Sequence, residues 1–307
     1  MSQPREIVQG ATYLITRRIL RRHLLFRPDA AMTQLLVYAL AVSARRFGLQ
    51  VHALCAMSTH LHLVVTDVRG VLPRFLQFFH RIVALGTKVL RKWEGPVWDH
   101  EPTSVVRLLT HAAVVEKIAY TLANPVAAGL VRHAHEWRGA KVSPSEIGRG
   151  ELRAKRPLAY FDPMNPQWPE EATLPIALPP SVAPDSTEGF QGEVGVELRR
   201  QEAAAQAEVQ RRGYQFLGAE RASQVSPFDR TTSVEVLRDR NPTFAVGREQ
   251  GSAWRNAAMA VRAFRASYRA AIERWRAGLR DAVFPVGTWW MRVFHGAIIN
   301  EVRLAAA

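Results

Sequence analysis

Cysteine is nearly absent from the sequence, because only Cys55 among the 307 residues carries a thiol. A single cysteine excludes an internal disulfide and is typical of proteins from a reducing compartment. The sequence also lacks any apolar run near the roughly 18 residues that a membrane-spanning helix requires. Its N-terminus has no apolar core of a signal peptide. We therefore expect a soluble, cytoplasmic protein with no membrane partner, in which Cys55 serves packing.

Acidic residues are scarce relative to basic ones, with 27 Asp and Glu against 41 Lys and Arg and a net charge of +14. The excess lies in the N-terminal half. Residues 1–145 carry 19 basic and 8 acidic side chains, whereas residues 146–307 carry 22 and 19. Such an uneven positive charge is the electrostatic signature of a domain that binds a polyanion, and nucleic acid is the polyanion it favours.

The N-terminal part alternates predicted strands with predicted helices. Apolar and β-branched patterning predicts strands over 10–17, 50–57, 60–66 and 104–109 and helices over 29–47, 71–93 and 110–123. The last helix should end at Asn124-Pro125, because the residue before proline is disfavoured in the α region. This order predicts an α+β fold in which helices pack on one antiparallel sheet.

The rest of the chain differs in composition. Residues 141–190 are rich in proline, which predicts an extended linker or wrapping arm without regular secondary structure. Residues 191–307 should form a mainly helical extension, with helices over 192–212 and 253–279, whose role the sequence does not indicate. The aromatic stripe of the second helix favours a packing face over a platform for stacking bases. We thus predict a domain over 1–140, a linker or arm over 141–190 and an extension over 191–307.

Two histidines open the third predicted strand. Side chains two apart on a strand point to the same face, so His60 and His62 lie side by side. Neutral imidazole is the commonest protein ligand of divalent ions, and the pair can therefore hold one metal. Taken alone, this pattern favours a pair of histidines that lines a polar sheet face without metal, and the second motif is what shifts the interpretation toward a metal site.

A second motif lies sixty residues downstream. Tyr120 and Asn124 are four apart on a predicted helix and therefore share one face. Two imidazoles and an amide oxygen form a set that can hold Mg²⁺ or Mn²⁺. Such an ion would polarise a phosphodiester that the tyrosine attacks, leaving a covalent phosphotyrosine. The alternative is that Tyr120 packs in the core and Asn124 only ends the helix.

Three segments together resemble the REP-associated tyrosine transposases, within the single-tyrosine HUH transposases. They are residues 13–18 (YLITRR), 52–64 (HALCAMSTHLHLV) and 118–131 (IAYTLANPVAAGLV). Their order and spacing agree with that family over residues 8–140. The resemblance implies a ferredoxin-like HUH core that cleaves and joins single-stranded DNA with a divalent metal. It also implies recognition of hairpins from repetitive extragenic palindromes.

Residue by residue, the resemblance places His60 and His62 on the metal ligands, Tyr120 on the nucleophile and Asn124 on the residue that completes the metal site. In that interpretation the basic stretch after the first strand contacts the DNA backbone through four arginines, which are Arg17, Arg18, Arg21 and Arg22. Thr59 stands where asparagine is common, and acidic residues follow Trp98 where a basic or aromatic residue is usual.

Three other functions remain open at this point. A domesticated protein could bind hairpin DNA or RNA with little or no catalysis, as a monomer or a homodimer. A metal-dependent hydrolase would leave Tyr120 a structural residue. A replication initiator or relaxase would use the same tyrosine chemistry, but the sequence lacks the P-loop of the helicase domain that often accompanies it.

Overall fold

Four antiparallel strands form the centre of the protein in a computed structural model that describes residues 4–232, 242–248 and 251–300. The strands are β1 (Ala11–Arg18), β2 (Gln50–Met57), β3 (His60–Asp67) and β4 (Ser104–Leu108). Their spatial order is β2-β3-β1-β4, the order of a ferredoxin-like sheet. A two-residue strand, β7 (Phe244–Ala245), adds to β4 in parallel, so the five-stranded sheet is mixed.

Three helices of the N-terminal part pack against this sheet. They are α1 (Ala30–Phe47), α2 (Leu72–Arg91) and α3 (His111–Ala127). The side chain of Asp29 accepts from Met32 N–H and caps α1, which ends at Gly48 in the left-handed conformation with φ of 68°. α1 and α2 pack closely at Gly86, which has no side chain. A Cβ added there would lie 2.4 Å from Leu35 Cδ1, so only glycine fits without a shift. The fold is therefore α+β, as the pattern of the sequence predicts.

The sequence-based end of α3 is wrong by one turn. The helix continues through Pro125 to Ala127. Pro125 removes only one backbone donor, and the turn is held by Ala128 N–H donating to Asn124 O at 2.9 Å. Gly129, with φ of 69°, then follows the end of the helix. The consequence is that Asn124 lies inside the last turn of α3 rather than at its boundary.

The proline-rich segment contains regular structure that the sequence analysis did not predict. β5 (Glu151–Lys155) and β6 (Glu171–Pro175) form an antiparallel hairpin that packs on α1. The loop between the strands carries Phe161, whose ring lies 4.9 Å from that of Tyr38 and is buried in the central core. Backbone bonds to β2 come from this segment too, since Val142 N–H donates to Leu54 O.

The remaining helices are α4 (Thr187–Arg211), α5 (Ala219–Gln224), α6 (Gly251–Arg276) and α7 (Trp289–His295). α4 packs along α3 and buries Phe190, Val194 and Leu198. α6 and the chain after it form a small separate core around Phe284. The described part of the chain contains no helix long and apolar enough to cross a membrane.

Candidate active site

His60 and His62 lie side by side on one face of β3. Their ring centroids are 4.7 Å apart, and the rings are perpendicular. The side chain of His62 is buried, whereas that of His60, at the first position of the strand, is partly exposed. The alternation of the strand thus produces the pair of neighbouring imidazoles that the sequence predicts.

Each imidazole is held by a threonine hydroxyl at Nδ1. Thr16 Oγ1 lies 2.8 Å from His62 Nδ1, and Thr59 Oγ1 lies 2.9 Å from His60 Nδ1. Thr16 reaches His62 because the two residues are paired directly across β1 and β3. When each hydroxyl oxygen accepts from Nδ1–H, the lone pair lies on Nε2, the atom that a metal would take. The sequence analysis assigned no role to either threonine.

The electrostatic environment keeps His60 neutral. The pKa of His60 is lowered to about 4, and burial is the main cause. A hydrogen bond to Asn124 acts in the opposite direction, and the positive charges of Arg18 and Arg22 add to the lowering. A neutral imidazole carries the lone pair that a metal requires, so the ring is in its ligating form near pH 7. The charges of Arg18 and Arg22 therefore favour both the neutral imidazole of His60 and the approach of an anionic phosphate.

Helix α3 brings Tyr120 and Asn124 to this face of the sheet. The rings of Tyr120 and His62 are 5.4 Å apart and nearly perpendicular. Asn124 donates from Nδ2 to Tyr120 O at 2.9 Å, and its side chain is also hydrogen-bonded to His60. All four residues singled out from the two motifs thus meet at one place.

Lys117 is a further cation at this site, and the sequence analysis missed it. Its Nζ lies 5.7 Å from the centroid of the Tyr120 ring and 2.7 Å from Glu116 Oε1. Lys117 precedes Tyr120 by three positions on α3, which is the spacing that places two side chains on one helical face. That spacing could have drawn attention to it. Its positive charge favours any negative charge that develops on the tyrosine oxygen.

The donor set fits one divalent ion with few protein ligands. No group of three or more His, Cys, Asp or Glu side chains suited to a metal occurs in the part of the chain that the structure describes. The groups here that could bind a metal are the imidazoles of His60 and His62 and the amide oxygen of Asn124. Two imidazoles with one neutral oxygen suit Mn²⁺ or Mg²⁺ only when water or a substrate phosphate completes the coordination.

The four arginines at the end of β1 do not share one location. Arg18 pairs across the sheet with His60, and both Arg18 and Arg22 act electrostatically on that histidine. Arg17 is on the opposite face, where its guanidinium lies 5.7 Å from the Trp98 ring centroid. Arg21 is exposed in a short turn in which both Arg21 and Arg22 have positive φ. Of the four arginines, Arg18 and Arg22 are therefore the two whose charges act on His60.

Acidic residues after Trp98 contact this basic stretch. The Arg17 guanidinium donates to the carbonyl oxygens of Asp99 and Glu101, and Arg21 N–H lies 3.4 Å from Asp99 Oδ2. Asp99 N–H in turn donates to Arg18 O at 3.0 Å. The segment after Trp98 thus holds the end of β1 mainly through its backbone, and the carboxylate of Asp99 also attracts Arg17 electrostatically.

Comparison with known proteins gives two structures of interest. One is described as the structure of the REP-associated tyrosine transposase bound to a REP hairpin. It is 16% identical, covers 48% of this chain and 86% of that chain, and has a TM-score of 0.41. The other is a candidate transposase from Deinococcus radiodurans R1, with 20% identity, coverage of 39% and 95%, and a TM-score of 0.29. No family model and no curated protein matches the sequence.

Proposed function

We propose that this protein is a metal-dependent single-stranded DNA endonuclease and strand transferase that acts on hairpin-forming repeat DNA through a phosphotyrosine. The observation that carries the proposal is the convergence of His60, His62, Tyr120 and Asn124, with ring distances of 4.7 and 5.4 Å. A protein that only binds DNA has no evident need for all four groups in contact.

The residues divide the chemistry between them. The oxygen of Tyr120 attacks phosphorus, the bond to the departing strand breaks, and that strand leaves with a hydroxyl group. The phenolic proton passes to solvent, and the departing oxygen takes a proton from solvent to become the hydroxyl group. Lys117 favours the negative charge that develops on the tyrosine oxygen as its proton is lost. A divalent ion held by His60, His62 and Asn124 would polarise the phosphate and stabilise the charge on its oxygens. One phosphodiester replaces another, so the reverse attack by a new strand end joins DNA without a nucleotide triphosphate.

The basic turn supplies backbone contacts in this proposal. Arg18 and Arg22 act electrostatically on His60, and together with the exposed Arg21 of the same turn they would bind phosphates without reading sequence. Arg17 is already engaged by the carbonyl groups of Asp99 and Glu101, and its contribution would be indirect. Affinity for DNA should therefore fall steeply with salt.

The division of the chain into a catalytic part over 1–140, an arm over 141–190 and an extension over 191–307 is also a proposal. Phe161, Trp168 and Phe190 from the later segments lie in the same buried cluster as the sheet. We therefore expect a chain truncated after residue 145 to be insoluble or unstable. A soluble truncation with full activity would contradict the role of the arm.

A denaturing gel tests the reaction. Labelled single-stranded hairpin oligonucleotides, taken from repeats that flank the gene, are mixed with protein in Mg²⁺, Mn²⁺ or chelator. We expect a metal-dependent, protease-sensitive adduct that Tyr120→Phe abolishes. The control Tyr214→Phe should retain it, because Tyr214 is exposed and belongs to another part of the chain.

The other outcomes identify the alternatives. Cleavage without an adduct would indicate a hydrolase in which Tyr120 is structural. Tight binding that survives Tyr120→Phe, with neither cleavage nor adduct over a range of hairpins, would indicate a binding protein.

A further inference from the structure

A cavity of about 530 Å³ lies between helix α7 and helix α2, on the other side of the sheet from His60 and His62. Its size falls within the roughly 300–1,000 Å³ of ordinary small-molecule sites. Leu72 and Leu76 of α2 form part of one wall, and Trp290 and Phe294 of α7 form part of another. The cavity exists because the chain after α6 returns to the N-terminal segment, where Ile7 N–H donates to Gly287 O at 3.0 Å.

The two aromatic residues of α7 are unusually exposed for their size. Trp290 is 59% and Phe294 is 54% exposed, and their ring centroids are 4.2 Å apart. Neighbouring aromatic residues on the sequence, such as Trp289 and Phe284, are buried. Phe294 also packs on the Trp289 ring at 5.7 Å, and the exposed faces of Trp290 and Phe294 are apolar surfaces on which a ligand can lie.

The polar groups of the cavity suit an anionic ligand with hydrogen-bonding edges. Arg5 and the amide of Gln77 line it, and so does His80, whose buried Nε2 has no hydrogen-bond partner within the described residues. No Asp or Glu is among the lining residues. The neighbouring Glu6 forms an ion pair with Arg107 at 3.2 Å.

A chain of contacts leads from the cavity to the basic end of β1. Trp98 Nε1 donates to His80 O at 2.8 Å, and the Arg17 guanidinium lies over the Trp98 ring. The next residue, Arg18, faces the candidate active site across from His60. Arg17 and Arg18 thus provide positive charge on the two faces of the sheet at the end of β1, with Arg17 on the face that holds the cavity.

We propose that this cavity binds one unpaired nucleotide of the single-stranded DNA, with its base on Trp290 and Phe294 and its phosphate at Arg5. The inference rests on the proposed function, because the strand is the same substrate. Stacking on aromatic side chains accepts any base, whereas the imidazole of His80 and the amide of Gln77 can select among base edges. The C-terminal extension would then take part in choosing the DNA target.

Photo-crosslinking tests this site independently of catalysis. The Tyr120→Phe protein is mixed in chelator with single-stranded oligonucleotides that carry one 5-bromodeoxyuridine at successive positions, and crosslinked peptides are identified by mass spectrometry. We expect a crosslink to the peptide that contains Trp290 from one or two adjacent positions. Trp290→Ala should weaken binding of the strand about tenfold, as expected for the loss of one stacked base.

A matched control uses Trp254, which is 54% exposed on α6 and does not line the cavity. Trp254→Ala should leave affinity within twofold of the parent protein. Both variants should keep their thermal midpoints within a few degrees, because each substitution removes a largely exposed side chain.

Three results would overturn the proposal. One is a crosslink only to peptides outside the cavity, and another is equal loss of affinity in the two tryptophan variants. The third is displacement of the crosslink by thymidine monophosphate as readily as by unlabelled oligonucleotide, which would identify a free nucleotide as the ligand. Failure of the proposed function would instead show as the absence of any adduct with active protein, and the crosslink would still decide the role of the cavity.

Discussion

The hydroxyl of Thr16 gives the most direct test of how the histidine site is built. Thr16 Oγ1 lies 2.8 Å from Nδ1 of the buried His62, and its position is fixed by strand pairing. Thr16→Val keeps the shape of the side chain but removes this bond. The imidazole then loses the group that orients it and selects the nitrogen that carries its proton.

The expected loss can be stated for both binding and stability. Removing an outer partner of a metal-bound histidine lowers affinity about 10- to 100-fold, which corresponds to about 1.4–2.7 kcal/mol. Loss of the partner of a buried polar nitrogen costs about 1–3 kcal/mol of folding free energy. We expect Thr16→Val to bind Mn²⁺ at least tenfold more weakly by isothermal titration calorimetry, without DNA. Thr16→Ser should restore most of the affinity.

Thr12→Val is the matched control. Thr12 lies four residues earlier on β1, and its hydroxyl bonds to Thr66 Oγ1 at 2.8 Å, away from the two histidines. This variant should lose stability but bind Mn²⁺ within twofold of the parent protein. The reasoning would be refuted if folded Thr16→Val bound Mn²⁺ as tightly as the parent, or if both variants lost affinity equally.

Three further predictions concern stability and reactivity. Arg91→Met should cost about 1–3 kcal/mol in urea unfolding, because it removes the buried guanidinium that contacts Asp29 at 2.7 Å and donates to Leu25 O; an unchanged stability would contradict this. Burial alone would raise the pKa of Asp29, but the Met32 N–H and Arg91 together hold it below its ordinary value. The ionised Asp29 therefore stabilises the fold above about pH 4, and this stabilisation is lost as pH falls through the folded pKa. Asp29→Asn should make the unfolding free energy less dependent on pH in the acid range. An unchanged pH dependence would exclude Asp29 as its source. Burial raises the pKa of Cys55 to about 12, so this thiol should react with a disulfide reagent only after unfolding; rapid labelling of folded protein would show that the strand opens.

Local patterns in the sequence predict the centre of the fold and the residues that meet there. The alternation of β3 places His60 and His62 together, and the helical spacing places Tyr120 beside Asn124. Each of these relations depends on a fixed repeat within one element, and such a repeat can be read from a single sequence. The two motifs meet only because α3 packs on the sheet next to β3. Periodicity within one element cannot predict that packing, and the expectation depended on the family resemblance.

The partners that come from distant elements could not be predicted in the same way. Thr16 reaches His62 only through the register of β1 and β3, which no local pattern encodes. The hairpin of β5 and β6 was missed because prolines surround it, although Pro157 lies after β5 and Pro175 is the last residue of β6. The strand β7 is only two residues long, and its position depends entirely on β4.

The later segments of the chain also determine how the sheet can associate with other molecules. On one side, Arg107 N–H and Leu109 N–H of the β4 segment donate to the strand that contains Ala245. On the other side, Leu54 O and Val51 O accept from Val142 and Ala177. An exposed strand edge is a template for aggregation and for strand exchange, and here β2 and β4, the outer strands of the antiparallel part of the sheet, have backbone partners from their own chain. A second copy that paired with β2 or β4 would first have to displace these backbone partners, and a chain without β7 would leave more of the β4 edge unpaired.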